Sequence, residues 1–380
     1  MTDQHPARDA RGTPLWETGG GPSMPRLEGD VETDVCVVGL GGSGLTCVRE
    51  LRALGVHAIG VEAGRIGGGA AGRNGGFLLA GLAHFYHDAV ARHGSARARA
   101  IYALTLDELD RIESEVPSLV SRPGSLRIAE SDEERGDCVA QLEAMRADGL
   151  PVEPYDGAEG RGLLVPGDGT FQPLARCRAL AAMAIDDGAA LYERSPVTRI
   201  DERGVHTERG SVRAAHVVVA VDGCLERLLP ELAGRVRSAR LQMLATAPTT
   251  DVTLPRPVYA RWGYDYWQQR PDGAIALGGA RDIGGESEWT TNATPTSVVQ
   301  DALERRLRDT LHVQAPITHR WAATVSYSAD ALPVVDEVRC GVWALGGYCG
   351  TGNVIGALLG RGLARWLGAR DDSLLRPFRG

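Results

Sequence analysis

One stretch restricts the fold of this chain more than any other. The apolar run from Asp34 to Val38 opens directly into Gly39-Leu40-Gly41-Gly42-Ser43-Gly44. Gly39, Gly41 and Gly44 satisfy G-x-G-x-x-G, and each glycine has a mechanical reason. Gly39 permits a tight turn, Gly41 lets backbone N–H groups approach a pyrophosphate, and Gly44 allows a helix to pack closely on the strand. Gly42 and Ser43 then stand at a helix N-terminus, whose free N–H groups carry partial positive charge suited to phosphate. That helix is expected to run to about Leu54, followed by a second strand from His57 to Val61. Glu62 closes this strand about twenty residues after the glycines, where a carboxylate accepts hydrogen bonds from ribose hydroxyls. A glycine triplet alone arises by chance. Between a strand and a helix, with an acid at this distance, it predicts a Rossmann-type dinucleotide site.

The residues after Glu62 and Ala63 bear on which dinucleotide. Gly67-Gly68-Gly69-Ala70-Ala71-Gly72-Arg73-Asn74-Gly75-Gly76 is too rich in glycine for an ordinary connection between strand and helix. A second loop of exposed N–H groups suits a ligand longer than the adenosine half of NAD, laid across the domain. FAD is such a ligand.

Several classes are excluded by what the chain lacks. All 41 basic residues are arginine. Without lysine there is no Schiff base to a carbonyl compound and no phosphate-binding Walker loop. The net charge of −8 speaks against a nucleic-acid surface. The seven cysteines are scattered and odd in number, with no CxxC pair, so neither a disulfide framework nor a zinc site is indicated. The polar N-terminus has no apolar segment of a secretory signal, and no apolar run reaches the length of a membrane span. The chain reads as cytoplasmic.

The periodicity predicts helices over 96–116 and 132–147, and a helix over 173–187 returning as a strand over 190–193. A buried strand is expected over 216–221, a hairpin over 258–275 turned at Pro271-Asp272-Gly273, and a strand over 341–345 leading into a helix over 355–367. The fold class is α/β: a discontinuous Rossmann-type unit beside a mainly antiparallel α+β unit. Residues 1–30 are assigned to an N-terminal tail, mobile over 1–14 and docked through Leu15-Trp16-Glu17. Residues 31–115, 165–235 and 316–380 are assigned to the cofactor unit, and 116–164 and 236–315 to the substrate unit.

These motifs resemble the D-amino-acid-oxidase superfamily of FAD enzymes, and within it the gamma-glutamylputrescine oxidoreductases. The likeness covers nearly the whole chain from Val35 onward. Gly67 to Gly76 is similar to the G-x-G-A-S-G-R-N-G-G loop beneath the flavin, with Ala71 where serine is usual. The resemblance implies that Gly69, Ala70, Ala71, Arg73, Asn74, Gly75 and Gly76 meet the cofactor, with Val197 at the adenine and Ala220 near the cofactor turn. It also implies that Gly347-Tyr348-Cys349-Gly350-Thr351-Gly352 meets the pyrimidine edge of the flavin, with threonine in place of a common histidine. A helix beginning near Asn353 would point its positive end at the N1–C2=O locus, which becomes anionic on reduction.

The departures imply a substrate class. Relatives acting on free α-amino acids often carry a carboxylate-binding arginine four residues after the tryptophan matched by Trp321, where this chain has Val325. A plain amine, or a carboxylate held elsewhere, is therefore favoured. Ala323 stands where sarcosine-oxidase relatives link FAD to cysteine, so the FAD is expected to be non-covalent. The oxygen-activating lysine of those relatives is absent, which leaves O2 or another acceptor open. Tyr266, Trp267 and Tyr348 are the catalytic candidates. Alternation over Arg261–Trp267 would set Trp262, Tyr264 and Tyr266 on one face as an aromatic wall. His84 and His87 have helical spacing but no third ligand, so no metal is expected. The expected reaction is oxidation of an amine C–N bond to an imine by hydride transfer to flavin N5. The alternatives are an oxidase of secondary, N-methyl or D-amino acids, and an FAD-binding protein without turnover. The oligomeric state is left open.

Overall fold

The computed structural model describes residues 11–202 and 204–379. Two eight-stranded sheets organise it. In the first, the strands Ala190–Tyr192, Ala58–Val61, Gly29–Val38, Gly210–Val219 and Val342–Gly346 lie side by side in that order, all parallel. Val334–Arg339 adds an antiparallel edge beyond Val342–Gly346. The hairpin Arg199–Asp201 and Gly204–His206 pairs along the start of Gly210–Val219. The two central strands are longer than the apolar runs that announce them. Val35–Val38 and Val217–Val219 are buried on both faces, whereas Gly29–Thr33 and Gly210–His216 emerge at the sheet margin, where alternate residues meet water. The apolar run marks only the sandwiched half of each strand.

Three helices cover one face of this sheet: Gly42–Ala53, Pro173–Asp186 and Gly352–Ala369. Leu45, Val48, Leu51, Leu180, Leu358, Leu359 and Leu363 close the core between them. Close approach is purchased with glycine at the contacts: a Cβ at Gly360 would lie 2.2 Å from the Ser43 carbonyl oxygen. The opposite face buries Leu225, Leu229 and Leu232 against the valines of the strands.

The second sheet runs in the order Ile317–Ser328, Val236–Thr246, Ile275–Gly279, Asp265–Gln269, Val258–Ala260, Ser125–Ile128, Gly160–Val165 and Glu153–Gly157. It is antiparallel except between Val258–Ala260 and Ser125–Ile128. Ile317–Ser328, grouped with the cofactor segments on sequence, pairs along the length of Val236–Thr246 in this sheet. One face packs on the helix Ser297–Arg305 through Val299 and Leu303. The other looks toward the glycine loops. The helices Ser95–Glu115 and Asp132–Ala147 form where periodicity predicts them.

Two expectations are corrected. Of the segment 1–14, residues 1–10 lie outside the described residues, but Arg11 and Gly12 are tied to the body: Ala322 N–H donates to Arg11 O, and the Arg73 guanidinium donates to Arg11 O and Gly12 O. The strand alternation over Arg261–Trp267 also fails, although Trp262, Tyr264 and Tyr266 still line one cavity. Arg261 and Trp262 take left-handed backbone, at φ 53° and 55°, so the chain turns before the strand Asp265–Gln269 begins. Trp262 points outward, its indole N–H on Asp137 and its backbone N–H on Glu134.

Candidate functional site

The glycine-rich loop is held from both sides. Gly39, at φ 93°, has no room for a side chain against Ala220 and Val221. A Cβ at Gly44 would lie 1.9 Å from the Gly39 carbonyl oxygen, so the helix starts hard against the turn. Gly41 is the N-cap of Gly42–Ala53, with no side chain capping it and no acid in the first turn. The first-turn N–H groups therefore face outward with neither a side-chain acceptor nor a competing negative charge. Glu62 accepts from Leu40 N–H and Gly64 N–H, each at 2.9 Å, and burial pushes its carboxyl up. Ser195 N–H binds the Glu62 carbonyl, which brings the segment of Val197 alongside. Ala63 follows, exposed to solvent.

The second glycine loop packs against the first. A Cβ at Gly41 would meet the Ala71 methyl at 3.1 Å. Asn74 fastens this loop, donating to Ala70 O and Ala71 O while its Oδ1 accepts from Gly76 N–H at 2.8 Å. It also meets Asn353, whose amide reaches on to Phe77 O at 2.8 Å. Trp321 donates to Arg73 O at 2.7 Å and Trp16 to Asn74 O at 2.7 Å, so two buried tryptophans carry the loop. The Arg73 guanidinium is spent on backbone carbonyls, those of Ala322, Arg11 and Gly12.

The loop from Gly347 to Gly352 is shaped by left-handed residues at Gly347, Cys349 and Gly350. Cys349 N–H bonds Ser326 O, and Thr351 folds back on Tyr348 O. The helix Gly352–Ala369 again opens without a side-chain cap or an acid in its first turn. Burial pushes the Cys349 thiol up, which makes it a packing group next to Ser328.

Two residues of this region were missed on sequence. Asp222 accepts from Ser326 N–H at 3.1 Å and Tyr348 N–H at 3.2 Å, joining the parallel strand to the 347–352 loop. Burial raises its carboxyl to about 6. An acid set between a buried apolar strand and Gly223 was the available signal. Arg176 is 2 % exposed, and its Nε and Nη2 have no hydrogen-bond partner. Its Nη1 would lie 3.2 Å from a Cβ at Gly42. No motif advertises it.

A cavity of about 560 Å³ joins the two sheets. Ala70, Arg73, Asn74, Gly75, Gly350, Thr351 and Asn353 line one side, and Leu241, Met243, Tyr266, Ala323, Val325 and Tyr327 the other. Of the three catalytic candidates only Tyr266 lies here, its ring 5.8 Å from those of Phe77 and Tyr259. Strand alternation turns Trp267 to the opposite face, beneath Arg306. Tyr348 sits in the core between its own loop and the helices, against Gly352 and Gly356. The lining is cationic, with Arg73, Arg92, Arg127 and Arg281 against a single carboxylate, Asp168. His84 reaches the cavity while His87 turns toward Asp137, and among the described residues no group of three metal ligands forms.

A parallel Rossmann sheet, two glycine loops and a second sheet closing over them define a flavoprotein oxidoreductase. The FAD dependent oxidoreductase family matches residues 34–366, and the chain belongs to it. It is 26% identical to the gamma-glutamylputrescine oxidoreductase of Escherichia coli strain K12, over 90% of this chain and 85% of that protein. Its fold is similar to that of L-proline dehydrogenase from P. horikoshii, with a TM-score of 0.73 at 20% identity, over 89% of this chain and 93% of the other. Glycine oxidase from Geobacillus kaustophilus gives 0.72 at 20% identity, over 89% and 95%. The cofactor is FAD. The residues present fit it: two uncapped helix N-termini, two loops bared by glycine, and the buried, unsatisfied Arg176 beneath the first.

Proposed function

We propose that this protein oxidises the C–N bond of a small-molecule amine to an imine, which water then hydrolyses. One observation carries the reading. A single cavity is walled at once by the second glycine loop, by the 349–353 loop and by the apolar and aromatic face of the antiparallel sheet. FAD supplies a two-electron acceptor for hydride when bound. We assign its pyrophosphate to Gly39–Gly44, its ribose to Glu62, its adenine to Val197, and its flavin to the loops of Asn74 and Thr351, with Tyr266 on the substrate side.

The chain's own residues prepare the amine. Four arginines against one carboxylate make the cavity positive, which disfavours an ammonium and favours the neutral amine. Only the neutral form has the lone pair that forms C=N as hydride leaves carbon. Tyr259, Tyr266 and Phe77 exclude water and restrict the orientation of the reacting carbon. The names of two similar proteins, a glycine oxidase and an iminodiacetate oxidase, support a C–N bond as the target. No helix among the described residues is long and apolar enough to cross a membrane, and all seven cysteines are free. On the sequence grounds given above we place the enzyme in the cytoplasm, without a membrane span or a nucleic-acid partner. The test is an anaerobic absorbance titration of the FAD-loaded protein with a panel of primary and secondary amines. At least one is expected to bleach the flavin band. Retained FAD that no amine reduces would instead indicate a flavin-binding protein without turnover.

A further inference from the structure

One cation in the cavity is held among aromatic rings and pairs with no carboxylate among the described residues. Arg281 follows the strand Ile275–Gly279 through Ala280, whose left-handed backbone at φ 54° turns the chain across the sheet end. Its guanidinium lies 4.8 Å from the rings of Trp289 and Tyr327 and 5.4 Å from that of Tyr264. Aromatic rings attract a guanidinium but leave most of its five N–H donors unused.

The neighbouring acids are engaged elsewhere. Asp265 and Asp282 pair with Arg261, Glu286 with Arg237, and Glu288 with Arg240. Among the described residues no carboxylate pairs with Arg281. Of the other cavity arginines, Arg73 is bonded to backbone carbonyls, Arg92 is exposed at the cavity edge, and Arg127 donates to Gln141, lies 4.4 Å from the Phe85 ring and shares the field of Asp168. Arg281 also stands at the Tyr327 end of Ile317–Ser328, where Tyr327 bridges to Tyr348 beside the 347–352 loop. On that strand Ala323 and Val325 present only apolar surface to the cavity.

We propose that Arg281, backed by Trp289, Tyr264 and Tyr327, is the binding site for a carboxylate on the substrate. The amine is then one that carries a carboxylate, not a plain alkylamine. A planar, forked cation held among rings matches a planar, two-oxygen anion. The field of the other arginines adds to the selection for a negative ligand. This assignment rests on the C–N reading above for its chemistry, but not for its binding.

The experiment separates the two. Benzoate has a carboxylate and no C–N bond, so its binding to the FAD-loaded protein is read from the shift of the flavin absorption band. Arg281→Gln is expected to weaken benzoate ten- to a hundredfold, on the order of a charged hydrogen-bonding pair. Arg127→Gln should change it by less than about threefold, the scale of a distant charge. Anaerobic reduction is then compared for 4-aminobutyrate against n-butylamine and for sarcosine against dimethylamine. The carboxylated member of each pair should react faster in the wild type, and Arg281→Gln should remove the preference. Benzoate that does not bind the wild type, binds Arg281→Gln equally well, or is lost only in Arg127→Gln overturns the proposal. Should Arg281→Gln not retain FAD, Arg281→Lys, which keeps the charge and loses the fork, carries the same comparison. Unchanged benzoate affinity there overturns it as well. If benzoate follows Arg281 while no amine reduces the flavin, the carboxylate site stands and the C–N reading falls.

Discussion

The two sheets of this molecule present different kinds of group to the space between them. Around the parallel sheet nearly every polar contact offered to a ligand is backbone: N–H groups of the 39–44 loop, of the second glycine loop and of two uncapped helices. Side chains there mostly hold backbone in place, as Asn74 and Asp222 do. On the antiparallel side the offer is made by side chains projecting from a sheet face, with Tyr259, Tyr266, Tyr327 and Arg281 converging from separate segments. A site made of backbone tolerates little change in shape. A site made of side chains can be retuned residue by residue.

The sharpest test of this contrast is a methyl group placed on each side. Gly44→Ala puts Cβ 1.9 Å from the Gly39 carbonyl oxygen, which only a shift of the first helix relieves. The expected cost is on the order of 4 kcal/mol, with purified protein that no longer retains FAD. Gly136, on the exposed face of the helix Asp132–Ala147, has open space around its Cβ position. Gly136→Ala should stabilise by up to about 1 kcal/mol through helix propensity. Flavin content and Tm of the two variants decide it, and equal behaviour would end the distinction.

Next in size is Asp222→Ala. It removes the acceptor for Ser326 N–H and Tyr348 N–H, at about 1–3 kcal/mol for each buried group left unpaired. Because those bonds shape the 347–352 loop, FAD affinity should fall at least tenfold, on the order of 1.4 kcal/mol, along with Tm. A loss of stability at unchanged FAD affinity would make Asp222 a packing residue only.

The same contrast explains what could be read in advance. Gly39, Gly41, Gly44 and Glu62 lie within one short segment, so their spacing along the chain is already their spacing in space. The second glycine loop is equally local. The cavity is not: Arg127, Tyr259 and Tyr266 become neighbours only through the pairings of Val258–Ala260 with Ser125–Ile128 and with Asp265–Gln269. Alternation correctly separates Tyr266 from Trp267, but which face meets the cofactor depends on the whole sheet. Arg176 and Asp222 were hidden for a related reason. Each acts through burial, and burial at a given charged residue has no signature in the residue itself.

A smaller effect is expected at Asp168, where the cavity lining is coupled to pH. Burial raises its carboxyl to about 6, although Ser125 and Ala80 N–H donate to it at 2.6 and 2.9 Å. A folded-state value above the unfolded one means that the fold prefers the protonated acid. Stability from this group is therefore fully present below pH ~4 and lost as pH rises through about 6. Asp168→Asn cannot ionise, so its stability relative to wild type should improve between pH 4 and 7, by on the order of 2–3 kcal/mol at most. Urea midpoints of both proteins across that range check it, and a constant difference would place the raised value in doubt.

The smallest effect is predicted where an aromatic residue expected in the substrate wall stands at the exposed rim of the cavity. Trp262 is 43% exposed, and its indole N–H bonds Asp137 at 2.7 Å, at the rim of the cavity. Tyr266 is enclosed by Phe77 and Tyr259. Truncating a half-exposed ring removes little buried area, so Trp262→Ala should cost less than about 1 kcal/mol in stability. Its kcat/KM on the best substrate should stay within about threefold of wild type, less than 1 kcal/mol in the barrier. Tyr266→Leu keeps apolar bulk but removes the ring facing the cofactor loops, and kcat should fall by tenfold or more, about 1.4 kcal/mol. The left-handed backbone at Arg261 and Trp262 adds a second discriminator. Trp262→Gly relaxes that geometry by about 1–2 kcal/mol, offsetting the lost contacts. A tenfold loss of kcat/KM in Trp262→Ala, with Tyr266→Leu near wild type, would mean that substrate is recognised at the rim of the cavity and not above the flavin.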